Sequence, residues 1–273
     1  MPVEELNGTR IRYEVAGSGD VTLVMVHGSW TSHHGWDLVT PGLAGSFRVV
    51  TYDRRGHSES PAPPGQGSIH DDVDDLAALI EHFADPPVFV AGSSFGSIIT
   101  LRLAAKRPEL LRGIIVHEPP LFSIIEGDPE QMALVAENQR LLDAVIERID
   151  SGDHASAAQL FVETVAIGPG MWDVLPDPVK RTFIENAPTF ADECNDPDQF
   201  TMDLEGIRAF AEPVLVTRGD SSFPFFPAVI SALLREMPGA ETVVFEGAGH
   251  IPHTTHPDAY VSSVAAFIER HAR

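Results

Sequence analysis

The sequence is poor in cysteine and in positive charge. Its one cysteine, Cys194, cannot form a disulfide within the chain, which fits the reducing cytoplasm. Lysine and arginine together number 18 against 40 aspartates and glutamates, which gives a formal net charge of −22. This acidic excess argues against nucleic acid or an anionic membrane as a partner, and it disfavours a highly anionic substrate.

Long apolar runs are also missing. No run approaches the roughly 20 residues that a membrane-spanning helix requires, and residues 1–6 lack the basic and apolar segments of a secretion signal. We therefore predict a cytoplasmic protein without a membrane partner. Hydrophobic residues still make up 43% of the 273 residues. That content allows a sizeable core, and a chain of this length can form one α/β domain with an insertion.

Short β-branched runs alternate with helical patterns in the first 120 residues and again near the end. The runs 21–26 and 47–52 are almost continuously apolar, as expected for strands buried on both faces of a sheet. The alternation predicts an α/β fold with a mostly parallel sheet and helices on both faces. Residues 121–212 show helical patterns without a strand. We predict a core domain of residues 1–120 and 213–273 and a helical cap at 121–212, over the strand ends where such sheets bind ligands.

The most informative motif is the pentapeptide Gly92-Ser93-Ser94-Phe95-Gly96. It stands between the apolar run 87–91 and the helical pattern 97–105. A G-x-S-x-G sequence at a strand-to-helix turn is a nucleophile elbow, in which the central serine lies at the tip of a strained bend. The amides of the following helix favour negative charge beside that serine. The pentapeptide alone is common in Gly/Ser-rich turns, but its flanks make Ser94 the predicted nucleophile.

Together with three other segments, this motif resembles the α/β-hydrolase superfamily over essentially the whole chain. The other segments are His27-Gly28 after one predicted strand, residues 53–58 (DRRGHS) after the next, and Gly247-Ala248-Gly249-His250 before the last helix. The order and spacing of the segments carry the resemblance. It implies the α/β-hydrolase fold and a catalytic triad in the chain order serine, acid, histidine.

A serine hydroxyl needs a base within hydrogen-bonding reach. Among the 12 histidines, His250 lies in a glycine-rich turn after the last predicted strand, and we predict it as the base. Two backbone N–H groups, those of Phe95 and Ser29, are the predicted oxyanion hole. Trp30 and, in the cap, Trp172 are candidate pocket residues, although packing within a loop would explain Trp30 equally well.

The acid of the triad has two candidates. In the common pattern of the superfamily it lies in a G-x-x-D turn, but here that turn reads Gly219-Asp220-Ser221-Ser222, so Ser222 occupies the usual carboxylate position. The string His117-Glu118-Pro119-Pro120 resembles lactonases that open the zearalenone ring, which take their acid from the end of the preceding strand. Glu118 is therefore the predicted acid, with Asp220 as the alternative.

An elbow, a base and an oxyanion hole together define acyl transfer to water. Apolar and aromatic residues in the predicted cap favour an apolar pocket, so we predict a serine hydrolase of a small hydrophobic carboxylic ester or lactone. No cofactor is implied, and the histidines lack a paired metal-ligand spacing, so no metal is predicted. A C–C bond hydrolase or a cofactor-free perhydrolase could use the same triad. A non-catalytic binding protein with this fold is the alternative from another class.

Overall fold

An eight-stranded sheet forms the centre of the molecule. The computed structural model describes residues 3–83 and 86–272. The strands are β1 (Val3–Leu6), β2 (Thr9–Ala16), β3 (Thr22–Val26), β4 (Arg48–Tyr52), β5 (Val88–Ser93), β6 (Leu111–His117), β7 (Val214–Gly219) and β8 (Glu241–Phe245).

The strands lie in the order β1-β2-β4-β3-β5-β6-β7-β8. Strand β1 pairs with β2, and β2 with β4, in the antiparallel sense. The other neighbouring pairs, from β4 across to β8, are parallel. The predicted, mostly parallel sheet is thereby confirmed. Strand β1 was not predicted, because Val3–Leu6 carries two adjacent glutamates and gains its extended form from pairing with β2.

Helices cover both faces of this sheet. Within the described ranges they are α1 (Thr40–Ala44), α2 (Ile69–Phe83), α3 (Phe95–Lys106), α4 (Pro129–Asp150), α5 (His154–Phe161), α6 (Met171–Val174), α7 (Asp177–Asn195), α8 (Leu204–Ala209), α9 (Phe226–Glu236), α10 (Pro252–Thr255) and α11 (Pro257–His271). None of the helices in the described part of the chain is long and apolar enough to cross a membrane.

Strand β5 shows how the two faces are packed. Val88 and Val90 point into a cluster with α2 and α3, whereas Phe89 and Ala91 point into a second cluster with α1 and α11. Successive side chains of a strand face opposite sides, so an apolar residue at each position allows both faces of the strand to be buried. Burial of each large side chain contributes about 1.5–3 kcal/mol. The middle of the sheet is therefore a rigid base for the turns at its carboxyl edge.

The segment between β6 and β7 is helical wherever a regular element is assigned. Helices α4, α5 and α7 pack together around a third cluster that includes Val145, Ala158 and Phe190. Helix α8 instead packs against α3, and its Ile207 lies in the main core. The segment predicted as a cap thus has its last helix on the core, and the bounds of the cap at 121 and 212 remain a prediction.

Candidate active site

Ser94 stands alone between β5 and α3 in a backbone conformation that few residues adopt. Its φ is 54° and its ψ −123°, in a region that costs about 1–3 kcal/mol for a residue with a side chain. Its N–H donates to the carbonyl of His117 at 2.9 Å. Two residues on, a Cβ at Gly96 would lie 2.3 Å from the carbonyl oxygen of Val26. Only glycine allows this approach of α3 to β3. Ser94 itself is half-buried at the tip of the turn.

The positive φ angles of the non-glycine residues fall mostly at this edge of the sheet. Trp30, Ser58, Ser94 and Glu118 have φ values of 67°, 49°, 54° and 43°. They follow β3, β4, β5 and β6, respectively, and the carboxyl ends of parallel strands meet at one edge. Strained backbone of this kind clusters at functional sites. The strain therefore marks the carboxyl edge of the central strands as the candidate site.

Glu118 is fully buried directly after β6, and both of its carboxylate oxygens accept hydrogen bonds. Oε1 accepts from the N–H of Gly219 at 2.8 Å. Oε2 accepts from the hydroxyl of Ser222 at 2.6 Å and from Nδ1 of His250 at 2.6 Å. Hydrogen bonds to an ionised group are the strong ones, and three of them fix this carboxylate in one orientation.

The imidazole of His250 is held on several sides. The ring of Phe226 stacks on it at 5.1 Å between centroids and an angle of 8°, and Phe223 meets it edge-on at 5.6 Å. Because Nδ1 donates to Glu118, the neutral ring carries its free lone pair on Nε2, the form that a general base requires. The side chain is 16% exposed, so part of the ring lies at the surface.

Asp220, the alternative acid, lies in the turn after β7 and makes other contacts. Its Oδ1 accepts from the N–H of Gly247 at 2.7 Å and from the hydroxyl of Ser221 at 3.0 Å. Asp220 therefore connects the turn after β7 with the turn that leads to His250. His250 is thus bonded to Glu118, whereas Asp220 links the turn after β7 to the turn after β8.

On the other side of Ser94 runs the loop that follows β3. A Cβ at Gly28 would lie 3.1 Å from Cβ of Ser94 and 3.7 Å from its Oγ, so this loop passes directly beside the serine. Ser29 is the next residue. Phe95 is the first residue of α3, and the N–H of a first helical residue has no acceptor within its helix. The two predicted oxyanion donors thus belong to segments that flank Ser94.

A buried charged cluster, which was not predicted, lies behind this loop. The guanidinium of Arg54 donates to Asp72 of α2 at 3.0 Å and to Glu193 of α7 at 2.7 Å. Arg54 is 1% exposed, and its Cζ lies 4.8 Å from the ring centre of Phe95. Although Arg54 belongs to one of the motifs in the sequence, Glu193 is 139 residues away, so no local pattern pairs the two.

Two buried histidines support the strand ends. His27 bonds the carbonyl of Gly28 through Nδ1 at 2.7 Å, and its Nε2 accepts from the backbone N–H of Arg54 at 3.0 Å. Burial, and then the charge of Arg54, lower the pKa of His27 to about 3. Burial also holds the pKa of His117 well below its usual range, and its Nδ1 lies 2.9 Å from the hydroxyl of Thr217. Both rings are therefore neutral at ordinary pH, and their hydrogen bonds are structural.

Trp30 and Trp172, the candidate pocket residues, belong to one aromatic cluster with the cap helices. Trp30 is 1% exposed and stacks on Phe161 at 4.5 Å between ring centres. Trp172 is half-buried, with the ammonium of Lys180 5.9 Å from its ring. Trp30 is therefore a packed residue that joins the loop after β3 to α5 of the predicted cap, while Trp172 retains an exposed surface.

The side chains of His117, Glu118 and His250 offer ligand atoms within 4.8 Å of one another. Among the described residues, this is the group of histidines and acids close enough to hold a metal ion. Both Glu118 oxygens already accept hydrogen bonds, and Nδ1 of His117 is engaged by Thr217. Hydrogen bonding accounts for the arrangement, and the absence of a metal remains a prediction.

A parallel sheet with a strained serine turn at its carboxyl edge, and a buried acid–histidine pair beside it, is an α/β architecture suited to hydrolysis. The model of the alpha/beta hydrolase family matches residues 23–263. The chain belongs to this family, and the predicted α/β-hydrolase fold is confirmed.

Relatives support the same class. The chain is 26% identical over 279 residues to the uncharacterized hydrolase YraK of Bacillus subtilis (strain 168). The alignment covers 97% of this chain and 95% of that protein. It is similar to the enol-lactonase from Burkholderia xenovorans LB400, with a TM-score of 0.80 and 20% identity over 98% of this chain and 100% of that one. A thermophilic esterase from Thermogutta terrifontis gives a TM-score of 0.74 and 21% identity over 99% and 100%. The two structural likenesses show the fold.

Proposed function

We propose that the protein is a serine hydrolase that cleaves a small hydrophobic carboxylic ester or lactone. The observation that carries the proposal is the 2.6 Å hydrogen bond between Nδ1 of His250 and the fully buried Glu118. It leaves Nε2 of His250 as the proton acceptor in a ring that the neighbouring phenylalanines immobilise. An immobilised base beside a strained serine turn is the arrangement that activates a hydroxyl.

In the proposed reaction, Nε2 of His250 takes the proton of Ser94 as Oγ attacks the carbonyl carbon of the substrate. The carbonyl oxygen becomes an oxyanion, to which the N–H groups of Phe95 and Ser29 donate. Collapse of the intermediate breaks the bond to the alkoxide, which leaves with the proton from His250. Glu118 holds the ring in the required tautomer and stabilises its positive charge while the proton is held.

The acyl group is then bound to Ser94 and must be removed by water. His250, neutral again, takes a proton from the water as that water attacks the acyl carbon. A second oxyanion forms at the same two N–H groups, and its collapse returns the proton to Ser94 and releases the acid. With a lactone, the alcohol and the acid are the two ends of one product.

Two features of the chain support a hydrophobic substrate. Phe161 of the predicted cap stacks on Trp30 in the loop after β3, and Phe223 in the loop after β7 meets His250 edge-on. The net charge of −22 disfavours an anionic substrate. The enol-lactonase and the esterase with the same fold also support an ester or lactone.

The proposal is tested by turnover of p-nitrophenyl acetate and a panel of lactones, with Ser94→Ala as the comparison. We expect the wild-type protein to turn over the ester, and Ser94→Ala to lower kcat by a factor on the order of 10⁴ or more. Ser93→Ala is the matched control, since that neighbouring hydroxyl is buried. A wild-type protein that hydrolyses no ester or lactone would favour a non-catalytic binding protein, and an active Ser94→Ala variant would exclude Ser94 as the nucleophile.

A further inference from the structure

Helix α7 of the cap is attached to the core by polar contacts along one side. Asn186 accepts from the backbone N–H of Ser58 at 2.8 Å, and Asp192 accepts from that of Gly67 at 2.9 Å. These contacts reach the loop between β4 and α2 and serve to hold the helix in place. Glu193, the residue after Asp192, is different, because it turns into the core and meets the buried guanidinium of Arg54.

Arg54 lies behind the first predicted oxyanion donor. Its guanidinium carbon is 4.8 Å from the ring centre of Phe95, the residue whose backbone N–H is that donor. An attraction between the cation and the ring face holds both groups in contact. The two carboxylates of Asp72 and Glu193 fix the guanidinium from different elements, so the ring of Phe95 rests on a guanidinium whose position depends on the cap.

The second predicted donor is connected to the same cluster through the backbone. The backbone N–H of Arg54 donates to His27, and the other ring nitrogen of His27 bonds the carbonyl of Gly28. Burial raises the pKa of Glu193, and the charge of Arg54 opposes that rise. The residue before Ser29 is therefore tied to the backbone of Arg54, while the side chain of Arg54 lies between Phe95 and Glu193.

We propose that Arg54 and Glu193 are positioning residues for the oxyanion hole, so that α7 of the cap takes part in the chemistry as well as in substrate choice. The inference rests on the proposed function of Ser94. It differs from the expectation that a cap sets only specificity, because Glu193 reaches past the predicted cap–core boundary to Arg54, which lies against the ring of Phe95. Glu193 is 8% exposed, which fits a role through its neighbours.

The expected effect lies in kcat. Loss of one oxyanion donor lowers kcat by about 10²–10³ in serine hydrolases. Loss of the group that orients the donor is milder, and for Glu193→Gln we expect kcat to fall roughly 10- to 100-fold, with KM changed by less than about threefold. A short acetate ester is the substrate of choice, because its small acyl group depends least on cap contacts.

Asp192→Asn is the matched control. It alters a carboxylate on the same helix, next in sequence, that bonds the core at Gly67 rather than at Arg54. Its kcat on the acetate ester should stay within about twofold of the wild-type value.

A double-mutant cycle then measures the coupling. Phe95→Leu removes the ring against which Arg54 lies. The double variant with Glu193→Gln should therefore be little slower than the slower single variant, whereas Phe95→Leu and Asp192→Asn should be additive. If Glu193→Gln does not fold in a thermal melt, Phe95→Leu tests the same contact from the side of the ring. A wild-type kcat in Glu193→Gln, equal losses in Asp192→Asn, or a wild-type kcat in Phe95→Leu would overturn the inference while wild-type turnover leaves the proposed function standing. A wild-type protein without turnover would overturn both.

Discussion

The two sides of Ser94 are built in different ways. On one side, Glu118 and His250 follow strands of the sheet, and the groups that hold them, such as Ser222 and Phe226, also belong to the core. On the other side, Arg54 lies against the ring of Phe95 and is bound by Glu193 of α7, in the predicted cap. The acid–base side, Glu118 and His250, is thus held within the predicted core, whereas the oxyanion side at Phe95 is held in part from the predicted cap.

The largest expected effect falls on the acid–base side. His250→Ala should lower kcat by a factor on the order of 10⁴ or more, and the variant with both Ser94→Ala and His250→Ala should be little worse, because triad members act as a unit. Steady-state kinetics on an activated ester measures both. His34→Ala is the control, since that histidine is exposed and pairs with Asp37. Additive losses would mean that His250 acts elsewhere than on Ser94.

A smaller effect is expected from the hydroxyl that shares Oε2 of Glu118 with His250. Ser222→Ala removes a 2.6 Å hydrogen bond to a buried carboxylate, a contact of about 1.5–3 kcal/mol. We expect kcat to fall roughly tenfold as the carboxylate loses part of its orientation. Ser221→Ala should be nearly silent, because its hydroxyl bonds the exposed Asp220 instead. Equal kinetics for the two variants would show that Ser222 does not orient Glu118.

The smallest effect on the chemistry is expected in the cap. Trp172→Ala removes a half-buried ring from the aromatic cluster, so KM for a bulky aromatic ester should rise about tenfold while kcat on the acetate ester changes little. Val174→Ala, at a residue 68% exposed in the same short helix, is the control. Equal losses of Trp172→Ala on both esters would contradict the view that this part of the cap sets specificity alone.

The sequence predicted the strands of the sheet better than it predicted the contacts between segments that are distant along the chain. Buried strands such as β3 and β4 consist of β-branched and apolar runs, so their pattern is local. Helix α7 is less local in origin, because it continues through Pro188 to Asn195. A proline removes one hydrogen bond from a helix interior, and packing against α4 and α5 offsets that loss here.

The predicted site shows the same division. Gly92–Gly96 is a contiguous motif, and its strand and helix context is visible in the sequence. The contact of Glu193 with Arg54 joins residues 139 apart, and it arises only when α7 packs onto the loop after β4. Acidic residues are abundant in this chain, so nothing in the sequence sets Glu193 apart from its neighbours Asp192 and Asp196.

The most direct test of the account compares the two candidate acids. Glu118→Gln and Asp220→Asn both keep the shape of the side chain and remove its charge. We expect Glu118→Gln to lower kcat by roughly 10⁴, through loss of the imidazole tautomer and of the countercharge. Asp220→Asn should cost only about 1 kcal/mol of stability, from a weakened hydrogen bond to Gly247, with kcat near the wild-type value. An inactive Asp220→Asn beside an active Glu118→Gln would contradict the assignment of the acid to the end of β6.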